Sequence, residues 1–458
     1  MNHNILKRIA ATLALCATMF TAVAQNTLSG YFTDDYMYRF QMNPAIGNSR
    51  GFVSMPGLGN LNVGMRGNLH VNSVLYNVNG QTTTFLNPMV SASEVMSKIN
   101  NVNRIGTDNT INILSLGFKG FGGYNTINIS ARASVEAQLP GSLFSLLKEG
   151  VVNKSYDIGD VRANAFGYAQ VALGHSHDIN SNLRIGATLK ILVGAGYANA
   201  NMMDARLRLG EDAWEVETDA EIRASVKGLT YETDVNDRTG HRYVNGVDVD
   251  DPGVNGYGAA IDLGAVYKTP VEGLTVSMAL LDLGFINWNN DMLATTGGVQ
   301  RFTTDKYTFN VDDDAVNSFD KQWDKIGDDL SALYELEDRG DQGSRTKSLH
   351  ATMNVGAEYA LPMYKKLSFG LLNSTRFAGD FSWTDFRLSA NWAAGKVFSA
   401  GANIGMGTFG FGFGWLLNLH APGFNMFLGS DYTPGKLAKQ GVPLSSNMQV
   451  NFGLNFPF

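Results

Sequence analysis

Strict alternation constrains this chain more than any other feature. Across residues 447–458, NMQVNFGLNFPF, the residues Met448, Val450, Phe452, Leu454, Phe456 and Phe458 are apolar. Between them Asn447, Gln449, Asn451, Gly453 and Asn455 are polar or small. A period of two belongs to a β-strand whose two faces meet different solvents. The pattern recurs almost throughout. Ile127, Ile129, Ala131, Ala133, Val135 and Ala137 oppose Asn128, Ser130, Arg132, Ser134 and Glu136, and Leu183, Ile185, Ala187, Leu189, Ile191 and Val193 oppose Arg184, Thr188 and Lys190. Similar runs lie near 60–71, 110–119, 161–173, 256–268, 273–287, 346–360, 366–378, 382–394, 397–407, 409–420 and 423–431.

A sandwich and a closed barrel both bury one face of such strands, and the connections favour the barrel. Short turns fall near 119–123, 175–182, 269–273, 361–366, 394–396 and 420–423, with long polar segments at 72–109, 139–154, 199–255, 288–345 and 432–445. Short turns at one end and long loops at the other predict an all-β transmembrane barrel of the outer membrane, with the turns in the periplasm. Tyr267, Tyr359, Trp392, Phe398, Phe424 and Phe458 sit at the turn ends of the apolar faces, where an aromatic girdle meets lipid headgroups. Fourteen antiparallel strands result if the hairpin near 200–227 is extracellular, as Asp204, Arg206, Arg208, Glu211, Asp212, Glu215, Glu217, Asp219 and Glu221 suggest; sixteen result if it spans. Phe319, Trp323, Ile326, Leu330 and Leu333 repeat at helical spacing, predicting an amphipathic loop helix over 317–337.

The N-terminus reads as an export signal. Lys7 and Arg8 precede an apolar run over 9–23, and Ala22-Val23-Ala24 predicts cleavage after Ala24. Cys16, the only cysteine, falls inside it, so the mature chain has no thiol chemistry. Past the signal no apolar run approaches the ~18 residues of a spanning helix. A net charge of -7 with both signs interspersed argues against a nucleic-acid surface. Outer-membrane lipid and the barrel-assembly machinery are the expected partners.

No catalytic constellation, metal site or cofactor motif stands out. His175 and His177 flank Ser176 at a strand end and read as solvated turn residues, while DVDDPG, with Asp248, Asp250 and Asp251, and the acidic run Asp312–Asp314 read as surface loops. The polar faces place Arg132, Glu136, Arg184, Lys190, Asp262, Glu358 and Arg387 in the lumen. In TFGFGFGW, residues 408–415, Phe409, Phe411, Phe413 and Trp415 point out, and Gly410, Gly412 and Gly414 point in. Three inward positions without side chains either admit a second backbone close to the wall or relieve crowding. The natural occupant is the N-terminal segment 25–59, leaving 60–458 for the barrel.

Within that segment, QMNPAIGNSRG, with Asn43, Pro44 and Ala45, resembles the N-terminal hatch of FadL-type long-chain fatty acid and hydrocarbon transporters. With DLGFINW at 282–288 and SDY at 430–432, the whole mature chain resembles an uncharacterised outer-membrane barrel family of Bacteroidetes-type bacteria related to those transporters. The resemblance implies a plugged 14-stranded barrel for passive uptake of hydrophobic small molecules. Phe456 and Phe458 likewise resemble the terminal aromatic signal read by the assembly machinery. A non-transporting scaffold or carrier barrel, serving secretion or surface attachment, is the alternative expectation. An outer-membrane lipid hydrolase, which would need a Ser-His pair at the lumen rim, is the third.

Overall fold

The computed structural model describes residues 27–149, 155–209, 214–236, 240–296, 300–303, 335–433 and 447–458. Fourteen strands pair antiparallel in a closed ring. They are β1 (Phe52–Ser54 continued by Leu61–Gly67), β2 (Val102–Gly120), β3 (Gly123–Pro140), β4 (Val161–Asp178), β5 (Leu183–Leu209), β6 (Gly256–Lys268) and β7 (Leu274–Trp288). The ring continues through β8 (Arg345–Ser348 with Ala351–Ala360), β9 (Leu367–Phe377), β10 (Trp383–Trp392), β11 (Phe398–Gly407), β12 (Gly410–Leu419), β13 (Asn425–Ser430) and β14 (Met448–Pro457). Both segments of β1 close it against β14, with Phe52 opposite Pro457 and Leu61 opposite Phe452. Each of the fourteen strands is paired to two neighbours, which is what lets a sheet stand in lipid.

Alternation sorts side chains as the period predicts. On β14, Val450 is 57% exposed and its neighbour Asn451 is fully buried. Tyr267, Tyr359, Trp392, Phe424 and Phe458 are all exposed on the outer wall near the short turns. Bulges interrupt this phase. The register shifts between Gly167 and Tyr168 on β4, so the odd-numbered residues that face lipid at 169–173 do not keep that face above the shift.

The charged hairpin does not span. Leu183–Gly194, the lower part of β5, pairs with β6, whereas its upper part, Gly196–Leu209, pairs with a separate strand, Trp214–Val226. That strand also holds Asp291–Thr295 and Gln300–Thr303, so one side of the wall rises as a sheet above the membrane. At ~3.3 Å per residue, the 27 residues of β5 run roughly 90 Å, several times the ~25 Å apolar band.

Several boundaries differ from the sequence reading: β2 begins at Val102, within the 72–109 segment, and β5 runs to Leu209, within 199–255. The wall begins at Phe52 rather than at 60, because Phe52–Ser54 is paired on both sides, to β14 and to β2. The outer connections after β9 and β11 are also short, at 378–382 and 408–409. The signal, Asp312–Asp314, most of 432–445 and residues 317–334 of the expected loop helix lie outside the described residues; its last residue, Glu337, begins a strand, Glu337–Asp341.

Candidate functional site

Residues 27–51 touch inward-facing groups on strands all around the ring, so this segment occupies the lumen. Its start is held by Asp431, just past β13. Thr27 Oγ1, the amides of Leu28 and Ser29, and Ser29 Oγ all donate to the Asp431 carboxylate at 2.6–2.7 Å. Lower down, Tyr36 Oη donates to Asn451 at 3.3 Å and Tyr38 Oη to Asn455 at 2.8 Å, both on β14. Tyr31, Phe32, Tyr36, Tyr38 and Phe40 pack with Phe52, Leu372, Leu416 and Phe427 into one apolar cluster inside the barrel. Edge-on aromatic contacts fix it, with the Tyr36 and Phe427 rings 4.9 Å apart at 90°.

The Asn-Pro-Ala element sits against β5, β6 and β7. Asn43 Nδ2 lies 3.3 Å from the carbonyls of Ala265 and Met278, and Asn43 Oδ1 accepts the Ala45 amide at 3.0 Å. Backbone and wall meet here with no room between them. A Cβ on Gly186 would lie 2.3 Å from the Pro44 carbonyl oxygen, and one on Gly264 2.1 Å from Asn43 Oδ1.

The glycines singled out from the sequence divide. Gly414 lies against Ser29, but Gly412 faces the Tyr432 ring, and Gly410 opens β12 just past the turn, at φ +93° with nothing near it. Gly370 on β9, which alternation alone did not flag, is where the Phe32 ring presses closest to the wall.

Three of the seven lumen charges converge on a residue the sequence reading placed only within DLGFINW. Asp282 accepts from Arg132 Nη1 at 2.8 Å and from Lys190 Nζ at 2.6 Å, while Lys190 also pairs with Asp262 at 2.7 Å. These four side chains come from β3, β5, β6 and β7, and two positive groups offset two negative ones. A bulge builds the site. Leu281 and Asp282 of β7 stand opposite the single residue Asp262, and Asp282 has φ +58°, the left-handed region that Asp tolerates better than most residues. Its amide then donates to Asp262 at 2.7 Å.

The other charges fall elsewhere. Glu136 lies 3.8 Å from His350, beside an Arg376–Asp108 pair at 2.9 Å. Arg387 is buried between Asp385, at 2.7 Å, and the Asp431 carbonyl, at 3.0 Å, and Tyr432 Oη donates to Asp385. Arg184 donates to Ser176 at 3.1 Å, and Glu358 accepts from Ser368 at 2.7 Å. The His175 and His177 rings share a face 5.3 Å apart, with Ser176 turned away into the lumen. In the loop, the Lys227 ammonium, 2.6 Å from Asp251, holds that carboxyl below its usual range. Phe456 and Phe458 are exposed on the outer wall.

Between the N-terminal segment and the charged quartet lies a cavity of about 50 Å³, walled mainly by polar side chains such as Thr126, Asn128 and Gln170. A second cavity beyond it shares Arg132 and Asp282, so the ion pair stands between the two.

No curated protein matches the sequence. Among solved structures, the chain is similar to the Ralstonia pickettii toluene transporter TbuX, at 10% identity over 95% of this chain and 96% of that one, with a TM-score of 0.41. It is similar to a Pseudomonas aeruginosa FadL homologue at 9% identity over 95% and 98%, TM-score 0.35. It is also similar to the translocator domain of the autotransporter NalP from Neisseria meningitidis at 11% identity over 90% of each chain, TM-score 0.32. The fold rests on its own strand pairing rather than on these likenesses. Residues 44–431, well over half of the chain, match a family of unknown function (DUF5723), and the protein belongs to that family.

Proposed function

We propose that the protein, cleaved near Ala24, is a barrel for passive uptake of small hydrophobic molecules across the outer membrane, with residues 27–51 as its hatch. The supporting observation is the interruption of β1 at 55–60. Inside it lie the aromatic residues Tyr38 and Phe52; outside it Met55, Leu58, Ile113 and Leu114 are exposed on the wall. The gap is laced shut by a few backbone bonds, from Met55 to Leu454 and from Gly57 to Ile113 at 3.0 Å, and from Leu454 to Leu58 at 2.9 Å. A hydrophobe that displaces the hatch aromatics replaces one apolar contact by another, and its way out to lipid through this seam avoids the polar half of the lumen. Asn43, Pro44 and Ala45 act as the pivot seated on Gly186 and Gly264, and Phe456 and Phe458 as the signal read by the assembly machinery.

Locking the hatch tests the reading. Ser29→Cys with Gly414→Cys adds the only thiols of the cleaved chain at two positions that meet. Oxidation should abolish proteoliposome uptake of a labelled aromatic hydrocarbon or long-chain fatty acid, and reductant should restore it. Uptake indifferent to the disulfide would overturn the hatch. A second reading, a carrier that presents the raised sheet on β5 and Trp214–Val226 to a surface partner, is favoured by the height of that sheet. It predicts no uptake in either redox state.

A further inference from the structure

The short turns carry charge mostly of one sign. Across them Lys119, Lys268, Lys365, Lys366 and Lys396 stand against Asp178 and Glu272, in a chain whose net charge is -7. All of these lysines are exposed. Three of them share one stretch of rim. The turns 361–366 and 393–397 are neighbours because β9 pairs with β10, Leu367 opposite Trp392, and the Ala393 amide donates to the Lys366 carbonyl at 2.8 Å. Among the described residues Lys365, Lys366 and Lys396 make no ion pair.

What borders these lysines identifies the medium they meet. Trp392 and Tyr364 are each 46% exposed, and Trp392 Nε1 donates to Tyr364 Oη at 3.3 Å. Rings with an apolar body and a polar edge belong at the boundary between acyl chains and headgroups. Further along the same wall Phe369 and Leu371 on β9 and Leu388 on β10 are exposed, with Leu371 opposite Leu388. Apolar surface, an aromatic boundary and unpaired ammonium groups therefore follow one another from mid-wall to rim. A phospholipid presents its chains, its esters and its phosphate in the same order. A zwitterionic headgroup brings its own cation to that phosphate, whereas an anionic one leaves the charge to be met by the protein. Each lysine near an anionic surface strengthens attachment about fivefold.

We propose that the rim formed by the turns 361–366 and 393–397 is a binding site for an anionic phospholipid, with Lys365, Lys366 and Lys396 on its phosphate and Trp392 and Tyr364 at the level of its esters. The site is independent of what the lumen carries. Fluorescence quenching tests it, with the protein inserted in mixed vesicles in which either phosphatidylglycerol or phosphatidylcholine carries brominated chains. The share of Trp392 is the difference from Trp392→Phe. At equal mole fraction, brominated phosphatidylglycerol should quench that share as a lipid bound at least about fivefold more tightly. Lys365→Gln with Lys366→Gln and Lys396→Gln should bring the preference close to one, while Lys119→Gln with Lys268→Gln, on other turns, should leave it unchanged. All five positions are exposed on turns or strand ends, so both variants should keep heat-modifiable mobility. Equal quenching by the two lipids, as an acidic protein partner for the lysines would give, overturns the proposal. So does a preference that survives the triple substitution, or one lost equally in the variant at Lys119 and Lys268, which would mean a diffuse field around the rim.

Discussion

The two sides of the lumen are held by different physics. On the side of β3 to β7 the wall carries ions: Arg132, Lys190, Asp262 and Asp282 join four long strands directly to one another. On the side of β9, β12, β13 and β1 the wall offers Gly370, Gly414, Leu372, Leu416, Phe427 and Phe52 to the aromatic residues of a separate stretch of chain, 28–42. The charges of the first side are paired among themselves. The second is complete only with its occupant, and packing of that kind can be exchanged for other apolar matter, whereas a buried ion pair cannot lose a member cheaply.

Removing a charge should therefore show the largest effect. Asp282→Ala leaves Arg132 and Lys190 buried with too few partners and should cost about 3–5 kcal/mol, read as a lowered denaturation midpoint in detergent. A loss below 1 kcal/mol would erase the distinction between the sides. Next comes the contrast across the wall itself. Val450→Arg should impair insertion into lipid vesicles by about 2–4 kcal/mol, while Asn451→Arg, on the lumen face, should spare insertion and disturb the Tyr36 contact instead.

Smaller effects test how closely residues 27–51 are held against the wall on both sides. Gly186→Val drives a side chain into the Pro44 carbonyl, and a wall that cannot give should expel the segment at a cost of about 1–3 kcal/mol. Limited proteolysis should then cut within 27–51 while the barrel keeps its heat-modifiable mobility; an intact N-terminus would count against the close fit. The smallest change is Tyr38→Phe, which deletes one hydrogen bond to Asn455 and should cost about 1 kcal/mol while leaving the ring packing in place.

Much of the barrel was legible from alternation because lipid imposes its face on every strand. The fourteen strands and the inward set Arg132, Lys190 and Asp262 follow from period two once the charged hairpin is set outside the membrane, which its density of charge suggested. What period two cannot see is where the period slips. Asp282 became the hub of the lumen through a bulge and a left-handed backbone, neither of which alters the residue pattern around it. Gly410, Gly412 and Gly414 read as one inward row, but the first only opens the strand at a left-handed φ beside the turn and the second is covered by Tyr432 from the neighbouring loop. Gly370 was missed because the close approach depends on Phe32, a residue far away in sequence.

The grip of Asp431 on Thr27, Leu28 and Ser29 joins residues 402–404 positions apart. During synthesis residues 27–38 thus emerge 402–417 positions before their partners, Asp431, Asn451 and Asn455. An aromatic-rich leader must travel unpaired until the far end of the polypeptide catches up. Any truncated product would release that leader as a sticky tail, which ties the quality of the whole barrel to whether translation reaches its final strand.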